Sequence, residues 1–264
     1  MSESVSGLVG SVARALELVE LIVTGPTDGM SLSEIVKMVG GSKSATLATL
    51  RTLVAFGYLR SVETGPKYVP GMMLIRLGDL AEAHDPLIAV ARPILALLSD
   101  KCGLTIRVAR NDGGFPIFLD RVDGAGFVRF YTPLGIKELP HVSSAGKAIL
   151  AQLSDAQIKV VVKECGLVAR TKKSITTLTG LKKEIERIRL VGYAIDDEED
   201  AQGIFCVGAP FFDHFGNCAG AISATGVKTD MSQDQVEKLG KLVVEYADQL
   251  TKELRGRKND RRSY

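Results

Sequence analysis

The sequence predicts an α+β protein in two parts, a winged helix-turn-helix followed, after a linker helix, by a domain with a mainly antiparallel sheet. Before Gly57, apolar residues recur three times at helical spacing, and a short hairpin pattern follows. Beyond Gly103 the apolar period changes to two, which is typical of strands. The chain of 264 residues is long enough for two ordinary domains.

The first two helices are separated by a break rich in glycine and proline. Residues 11–23 have apolar side chains at helical spacing. Ser31-Leu-Ser-Glu34 has the form of a capping box, which predicts the start of a short second helix. The Gly40-Gly41 pair predicts a tight turn after it. On the first helix, the apolar residues that follow helical spacing are Val12, Ala15, Leu16, Val19, Ile22 and Val23.

The third helix and the hairpin complete the outline of a winged helix-turn-helix. Ser42 can cap a helix that runs to about Phe56, and Gly57 suits its C-terminal cap. Residues 58–61 and 67–69 predict the two strands of a hairpin. Three helices with a short glycine turn between the second and third are typical of DNA-binding domains. A plain helical subdomain is the alternative interpretation.

One face of the third helix is the predicted contact surface for double-stranded DNA. Thr46, Leu50 and Leu53 should face the core, so the opposite face is left for a partner. Residues 41–70 hold four basic side chains against Glu63 alone, and local positive charge favours phosphate contact. The predicted DNA-binding residues are Ser42, Lys43, Ser44, Leu47, Ala48, Arg51 and Lys67. Of these, Leu47 and Ala48 can contact only apolar groups such as a thymine methyl.

The second part begins with two helices and continues as a sheet. The linker helix is predicted over residues 72–85, and a second helix over 86–99 contains Pro93, which is expected to kink or split it. Residues 105–110, 117–122 and 127–131 alternate as strands, separated by glycine-rich turns.

Helices and strands then alternate to the end of the chain. One helix is expected at 145–153, and a second one begins after its cap Ser154. A third helix is expected at 180–190, and a long last helix begins after its cap Ser232. Further strands are expected at 193–196, 204–212 and 219–224. The whole domain is expected over 86–256, with five or six strands and helices on one side of the sheet.

Charge and composition exclude several protein classes. The net charge is only +2. The tail 257–264 is basic and is expected to be disordered. No apolar run approaches the roughly 18 residues of a membrane span, and the start of the chain lacks a secretory pattern. The four cysteines form neither a Cys-x-x-Cys pair nor a disulfide framework. We therefore expect a cytoplasmic protein with no membrane partner, metal or cofactor.

Four segments, in the order in which the family has them, carry a resemblance to known proteins. They are residues 11–16 with Leu18; Lys43-Ser44 followed by Leu50, Leu53 and Gly57-Tyr58-Leu59; residues 143–151; and residues 196–199 followed by Gly203, Cys206, Val207 and residues 221–223. Together they resemble the IclR family of bacterial transcriptional regulators. The resemblance implies a winged helix-turn-helix over 1–71, a linker helix, a GAF-like effector-binding domain, and homodimers or tetramers. It implies control of a catabolic gene or operon, with repression expected.

The resemblance also implies where a small-molecule effector binds. Matching the two C-terminal segments residue by residue places around the effector Ser144, Ala145, Asp196, Ile204, Cys206, Ser223 and Thr225. Leu139 lies just before the helix expected at 145–153. Phe127, Phe130 and Tyr131 are expected to form a wall of the effector pocket. Backbone amides at the helix start suit a carboxylate, and the aromatic wall favours an aromatic acid or derivative over a two-carbon acid. The alternative is that these aromatic side chains simply fill the core.

Two other functions fit parts of the sequence. Ser144-Ala-Gly-Lys147 has the Ser-x-x-Lys form of a hydrolase nucleophile, but neither Ser-Asp-Asn nor Lys-Thr-Gly accompanies it. A serine pair that caps a helix is the favoured interpretation of this segment, so no catalytic residue is expected. A third hypothesis is a ligand sensor that regulates through protein partners instead of DNA.

Overall fold

A computed structural model describes residues 7–62, 67–83, 85–126, 133–228 and 232–256, apart from the side chains of Glu82 and Ala83. The chain divides into two units, Met1–Asp85 and Pro86–Tyr264. The predicted strand at 127–131 and the predicted tail at 257–264 lie outside the described residues. Within the described part, no helix is both long and apolar enough to cross a membrane.

The first unit contains the predicted three helices and hairpin. The capping box at Ser31 and the serine cap at Ser42 both form, because each hydroxyl accepts from the amide three residues later. The three strands form an antiparallel sheet in the order β1-β3-β2, and the two-residue strand β1 was not predicted. The elements are α1 (Gly10–Thr24), β1 (Met30–Ser31), α2 (Leu32–Val39), α3 (Lys43–Ala55), β2 (Leu59–Val62), β3 (Lys67–Pro70) and α4 (Met72–Ala83).

The predicted helix α1 forms, and it buries only part of its apolar surface. Leu18 and Ile22 enter the core, whereas Val12 and Leu16 are 55% and 66% exposed. Apolar residues cover more than one face of this helix, so their spacing alone cannot select the face that packs. On α3 the prediction is confirmed, since Thr46 and Leu50 are buried in the same unit.

The second unit is built on a five-stranded antiparallel sheet in the order β5-β4-β8-β7-β6. Pro93 lies inside α5, which continues past it to Cys102. The Gly113-Gly114 pair turns β4 into β5, and both glycines have positive φ as a tight hairpin requires. The elements are α5 (Pro86–Cys102), β4 (Thr105–Asp112), β5 (Phe115–Val122), α6 (Ser144–Leu150), α7 (Asp155–Cys165), α8 (Leu178–Val191), β6 (Ala194–Asp197), β7 (Ile204–Phe212), β8 (Cys218–Val227) and α9 (Gln233–Glu253).

Helices cover both faces of this sheet, so the expectation of helices on one side was wrong. One apolar cluster joins α5 and α9 to strand residues such as Val108 and Val207. The other joins α6, α7 and α8 to residues such as Ala109 and Phe118. Because β7 is buried at almost every position, it is covered from both sides. The face under α6 is the one that carries the predicted effector residues.

A glycine on β7 brings α6 into direct contact with the sheet. A Cβ atom at Gly208 would lie 2.7 Å from the carbonyl carbon of Ser144 and 2.9 Å from the amide nitrogen of Ala145. The backbone at the start of α6 therefore rests on the strand backbone, with no side chain between them. Gly208 sets the distance between α6 and the strands beneath it.

We predict that Gly208→Ala destabilises the protein, because the added methyl group would push the start of α6 off the sheet. Overpacking of this kind costs about 1–3 kcal/mol of unfolding free energy. Urea unfolding of the full chain measures the loss. Gly126→Ala is the matched control, since a Cβ there meets nothing within 4 Å. Equal destabilisation by the two substitutions would contradict the proposed role of Gly208.

Candidate functional site

The N-terminal half of α3 presents the predicted DNA-binding residues on an accessible surface. The hydroxyl of Ser42 accepts from the amide of Ala45 at 3.2 Å and so fixes the start of the helix. Leu47 is half-buried. The other predicted contact residues of this segment are exposed, namely Ser42, Lys43, Ser44, Ala48 and Arg51. They form one continuous surface, and their contact with DNA stays a prediction.

Arg14 on α1 holds the turn that leads into α3, a role that the sequence analysis missed. Its Nη1 donates to the carbonyl of Val39 at 2.6 Å, and its Nη2 donates to the carbonyl of Gly40. Gly41, the next residue, has a φ of 82°, and a Cβ there would lie 3.1 Å from Nη2. Arg14 is the basic residue of an otherwise mostly apolar helix, which was the available signal.

Lys67, the predicted phosphate contact on the hairpin, is engaged by an acidic neighbour. Its Nζ lies 2.5 Å from Oδ2 of Asp28. This hydrogen-bonded ion pair raises the pKa of Lys67 and lowers the pKa of Asp28. A DNA phosphate would have to compete with Asp28 for the ammonium group, so Lys43 and Arg51 are the stronger candidates.

Most of the predicted effector residues that the structure describes lie together on the sheet face under α6. The hydroxyls of Ser144 and Ser223 are 3.0 Å apart, and Thr225 donates to the sulfur of Cys206 at 3.4 Å. Asp196 pairs with Cys206 in the β6–β7 register. These five side chains are buried and make a polar floor within an apolar domain.

Three other predicted effector residues that the structure describes have different positions. Ala145 directs its side chain into the apolar cluster of α6, so only its backbone is polar at this site. Ile204 is partly buried at the start of β7. Leu139 lines a cavity of approximately 210 Å³ with Glu138, Arg170 and Asp200. The predicted wall residues Phe127, Phe130 and Tyr131 lie outside the described residues.

Asp196 is held by backbone amides in a buried position. Its Oδ1 accepts from the amides of Glu199 at 2.7 Å and Asp200 at 3.3 Å. Burial raises the pKa of Asp196 to about 6, although these hydrogen bonds oppose the shift. The same burial, together with nearby Asp196, raises the pKa of Cys206 to about 12, so this thiol is not a nucleophile near neutral pH.

Lys147 and Glu199 form a buried ion pair between α6 and the loop after β6. Lys147 is fully buried, and its ammonium group donates to Oε1 of Glu199. Burial raises the pKa of Glu199 to about 7, while Lys147 acts in the opposite direction. The hydroxyl of Ser144 is bonded to Ser223 instead of Lys147. The geometry therefore does not assemble the serine–lysine pair that a Ser-x-x-Lys hydrolase uses.

Arg107 on β4 is the second functional candidate that the sequence analysis missed. It is 7% exposed, pairs in register with Ser223, and its guanidinium carbon lies 4.1 Å from the centre of the Phe118 ring. Strand alternation placed it on the face opposite Ile106 and Val108. The sequence did not show that α6 covers this face, so it gave no reason to expect a buried arginine there.

Comparisons with known proteins match both units. A sequence model of the IclR helix-turn-helix domain matches residues 11–63, and a model of the C-terminal domain of the bacterial transcriptional regulator IclR matches residues 81–252. The chain is 32% identical over 248 residues to the transcriptional repressor IclR of Escherichia coli K12, covering 93% of this chain and 90% of that protein. It is 30% identical over 246 residues to the regulator BhcR of Paracoccus denitrificans, covering 93% and 88%.

Solved structures share the fold over nearly the whole chain. The crystal structure of Thermotoga maritima IclR gives a TM-score of 0.80 at 29% identity, covering 93% of this chain and 99% of that one. An IclR homologue from Microbacterium hydrocarbonoxydans, complexed with 4-hydroxybenzoate, gives a TM-score of 0.77 at 18% identity, covering 93% and 99%. The second likeness shows the fold alone.

We predict that Arg14→Ala weakens the first unit without removing any residue of the exposed α3 face. The loss of two hydrogen bonds to carbonyls from a charged donor costs about 1–3 kcal/mol of unfolding free energy. Arg14→Lys should recover part of it, because one ammonium group cannot reproduce the guanidinium fork. Urea unfolding measures the effect, with exposed Arg76→Ala as the control for loss of charge. An Arg14→Ala protein as stable as the control would exclude this role.

The buried carboxyls predict a pH dependence of stability. The pKa of Glu199 is about 7 in the folded chain against an ordinary 4.5. Because the folded chain binds this proton more tightly than the unfolded chain does, protonated Glu199 contributes fully to the free energy of unfolding below pH 4.5. This contribution is lost as the pH rises towards 7. We expect the urea midpoint to fall across this range, and Glu199→Gln to remove part of the fall. Exposed Glu186→Gln is the control, and identical pH profiles for the two variants would refute the prediction.

Proposed function

Because the chain belongs to the IclR family of bacterial transcriptional regulators, we propose that it represses a catabolic gene or operon and responds to a small carboxylic acid. Members of this family bind DNA through the helix-turn-helix and are regulators, not enzymes. The observation that carries the effector proposal is the buried hydroxyl pair of Ser144 and Ser223, which shares a sheet face with the buried carboxyl of Asp196. A polar cluster so deep in an apolar domain suits a small polar ligand.

In this proposal the two parts of the chain have separate tasks. Residues 1–71 bind the operator, residues 72–85 link the domains, and residues 86–256 bind the effector. Lys43 and Arg51 supply the basic contacts of α3. Both side chains are exposed, so each can contact either the DNA phosphates or the bases. The exposed apolar side chains Val12 and Leu16 on α1 support association into homodimers or tetramers.

The proposed effector is an aromatic acid or derivative. The predicted wall of the pocket contains three aromatic residues, Phe127, Phe130 and Tyr131. A homologue with a similar fold has been crystallised with 4-hydroxybenzoate, which makes this acid a reasonable first probe. The bound effector must favour one of two states with different affinity for DNA, because equal affinity for both would shift nothing.

We predict that Lys43→Ala and Arg51→Ala each weaken binding to the DNA that flanks the gene. A lost base contact costs about 1–3 kcal/mol, and a lost phosphate contact lowers the slope of the salt dependence by about one. Gel shifts at several salt concentrations distinguish the two. Arg76→Ala, on α4, is the matched control. Binding unchanged in both α3 variants would rule out the proposed face, and no binding by the unmodified chain would rule out the proposed function.

A further inference from the structure

A small cavity in the second unit contains a carboxyl group that is available to a ligand. The cavity of approximately 210 Å³ is lined by Glu138, Leu139, Arg170 and Asp200. Arg170 and Asp200 are paired with each other, since Nε of the arginine donates to Oδ1 of the aspartate at 3.2 Å. Among the residues that the structure describes, none forms a hydrogen bond or an ion pair with the partly buried side chain of Glu138. Glu138 is therefore the charged side chain of this cavity that is left to bind a ligand.

The backbone on both sides of Glu138 is fixed by neighbouring elements. The amide of Glu138 donates to the carbonyl of Pro116 on β5 at 3.0 Å. Two residues later, Pro140 lies against the first turn of α6, because a Cβ atom at Gly146 would be only 2.4 Å from the α-carbon of Pro140. The position of Glu138 is thus set before any ligand binds, which lowers the cost of ordering the site.

The cavity adjoins the polar floor under α6. Leu139, which lines the cavity, is one of the predicted effector residues. Asp200, which also lines it, donates its backbone amide to Oδ1 of Asp196 at 3.3 Å. Asp196 belongs to the floor, so a residue of the cavity wall is bonded directly to the floor. One small ligand can therefore contact both places.

We propose that Glu138 binds a hydroxyl or amino group that the effector carries at the end away from its acid group. The proposal rests on the proposed function and narrows the class of effector to acids with such a hydrogen-bond donor. A carboxylate accepts hydrogen bonds strongly and has none to donate. Burial is the main cause of the raised pKa of Glu138, so its charged form is not fully compensated in the folded chain. A donor on the ligand supplies the missing interaction.

The charges of the cavity disfavour a second acid group on the effector. Two carboxyls, those of Glu138 and Asp200, line it together with the single guanidinium of Arg170, which already pairs with Asp200. A second carboxylate on the ligand would meet the like charge of Glu138 with no cation left to offset it. The favoured class is a monocarboxylic acid with a hydroxyl or amino substituent.

The test compares substituted benzoates on the full chain by calorimetry. The probes are benzoate, its meta and para hydroxy and amino derivatives, and terephthalate, which has a second carboxylate. The unmodified protein should bind at least one hydroxy or amino derivative about tenfold more tightly than benzoate, and terephthalate more weakly than benzoate. Glu138→Ala should lose the donor preference, with the affinity for benzoate unchanged. Glu138→Gln keeps a neutral acceptor, so its preference should lie between the two.

Glu186→Ala is the matched control, because Glu186 is an exposed glutamate on α8 of the same unit. It should keep the preference of the unmodified protein. The proposal would be overturned by a donor preference retained in Glu138→Ala, by terephthalate bound more tightly than benzoate, or by no binding of any probe to the unmodified protein. If Glu138→Ala does not fold, Glu138→Gln decides, since an unchanged preference there equally overturns the proposal. Gel shifts of the unmodified protein keep the two proposals separate, because operator binding without a donor preference would leave the proposed function in place.

Discussion

The contact between the start of α6 and β7 is the constraint on which the second unit depends. At Gly208 the strand has no side chain, so the Ser144–Ala145 peptide can lie directly on the sheet. This close approach brings the hydroxyl of Ser144 to that of Ser223 on the next strand. It also covers the face that carries Arg107, which would otherwise be open to water. The missing Cβ atom of Gly208 thus permits the close approach of α6 that buries this face.

Buried charge is the main energetic cost of this arrangement. Lys147 is fully buried and donates to Glu199, while Asp196 accepts from backbone amides. Removing either member of such a pair leaves an uncompensated charge, which costs more than the intact pair contributes. The raised pKa values of Asp196 and Glu199 show that burial outweighs the favourable contacts. Carboxyls that protonate near neutral pH can donate as well as accept hydrogen bonds.

In the first unit, a single arginine has a comparable role. Arg14 donates to the carbonyls of Val39 and Gly40 at the end of α2, where a helix has no backbone partners for them. It thereby fixes the turn from which α3 begins. The predicted contact residues Leu47 and Ala48 therefore lie on a helix whose start is fixed by Arg14 from the side of α1.

The sequence by itself determined the helices, their caps and most strands. Local hydrogen bonds and apolar spacing decide those features, so the capping box at Ser31 and the serine cap at Ser42 were both predictable. Tertiary structure decided which faces are covered. Arg107 lies on a predicted strand and is buried, whereas Leu16, an apolar residue of a predicted helix, is exposed. Strand alternation separates two faces but does not say which one a distant helix will cover, because that choice depends on contacts between residues far apart in the chain.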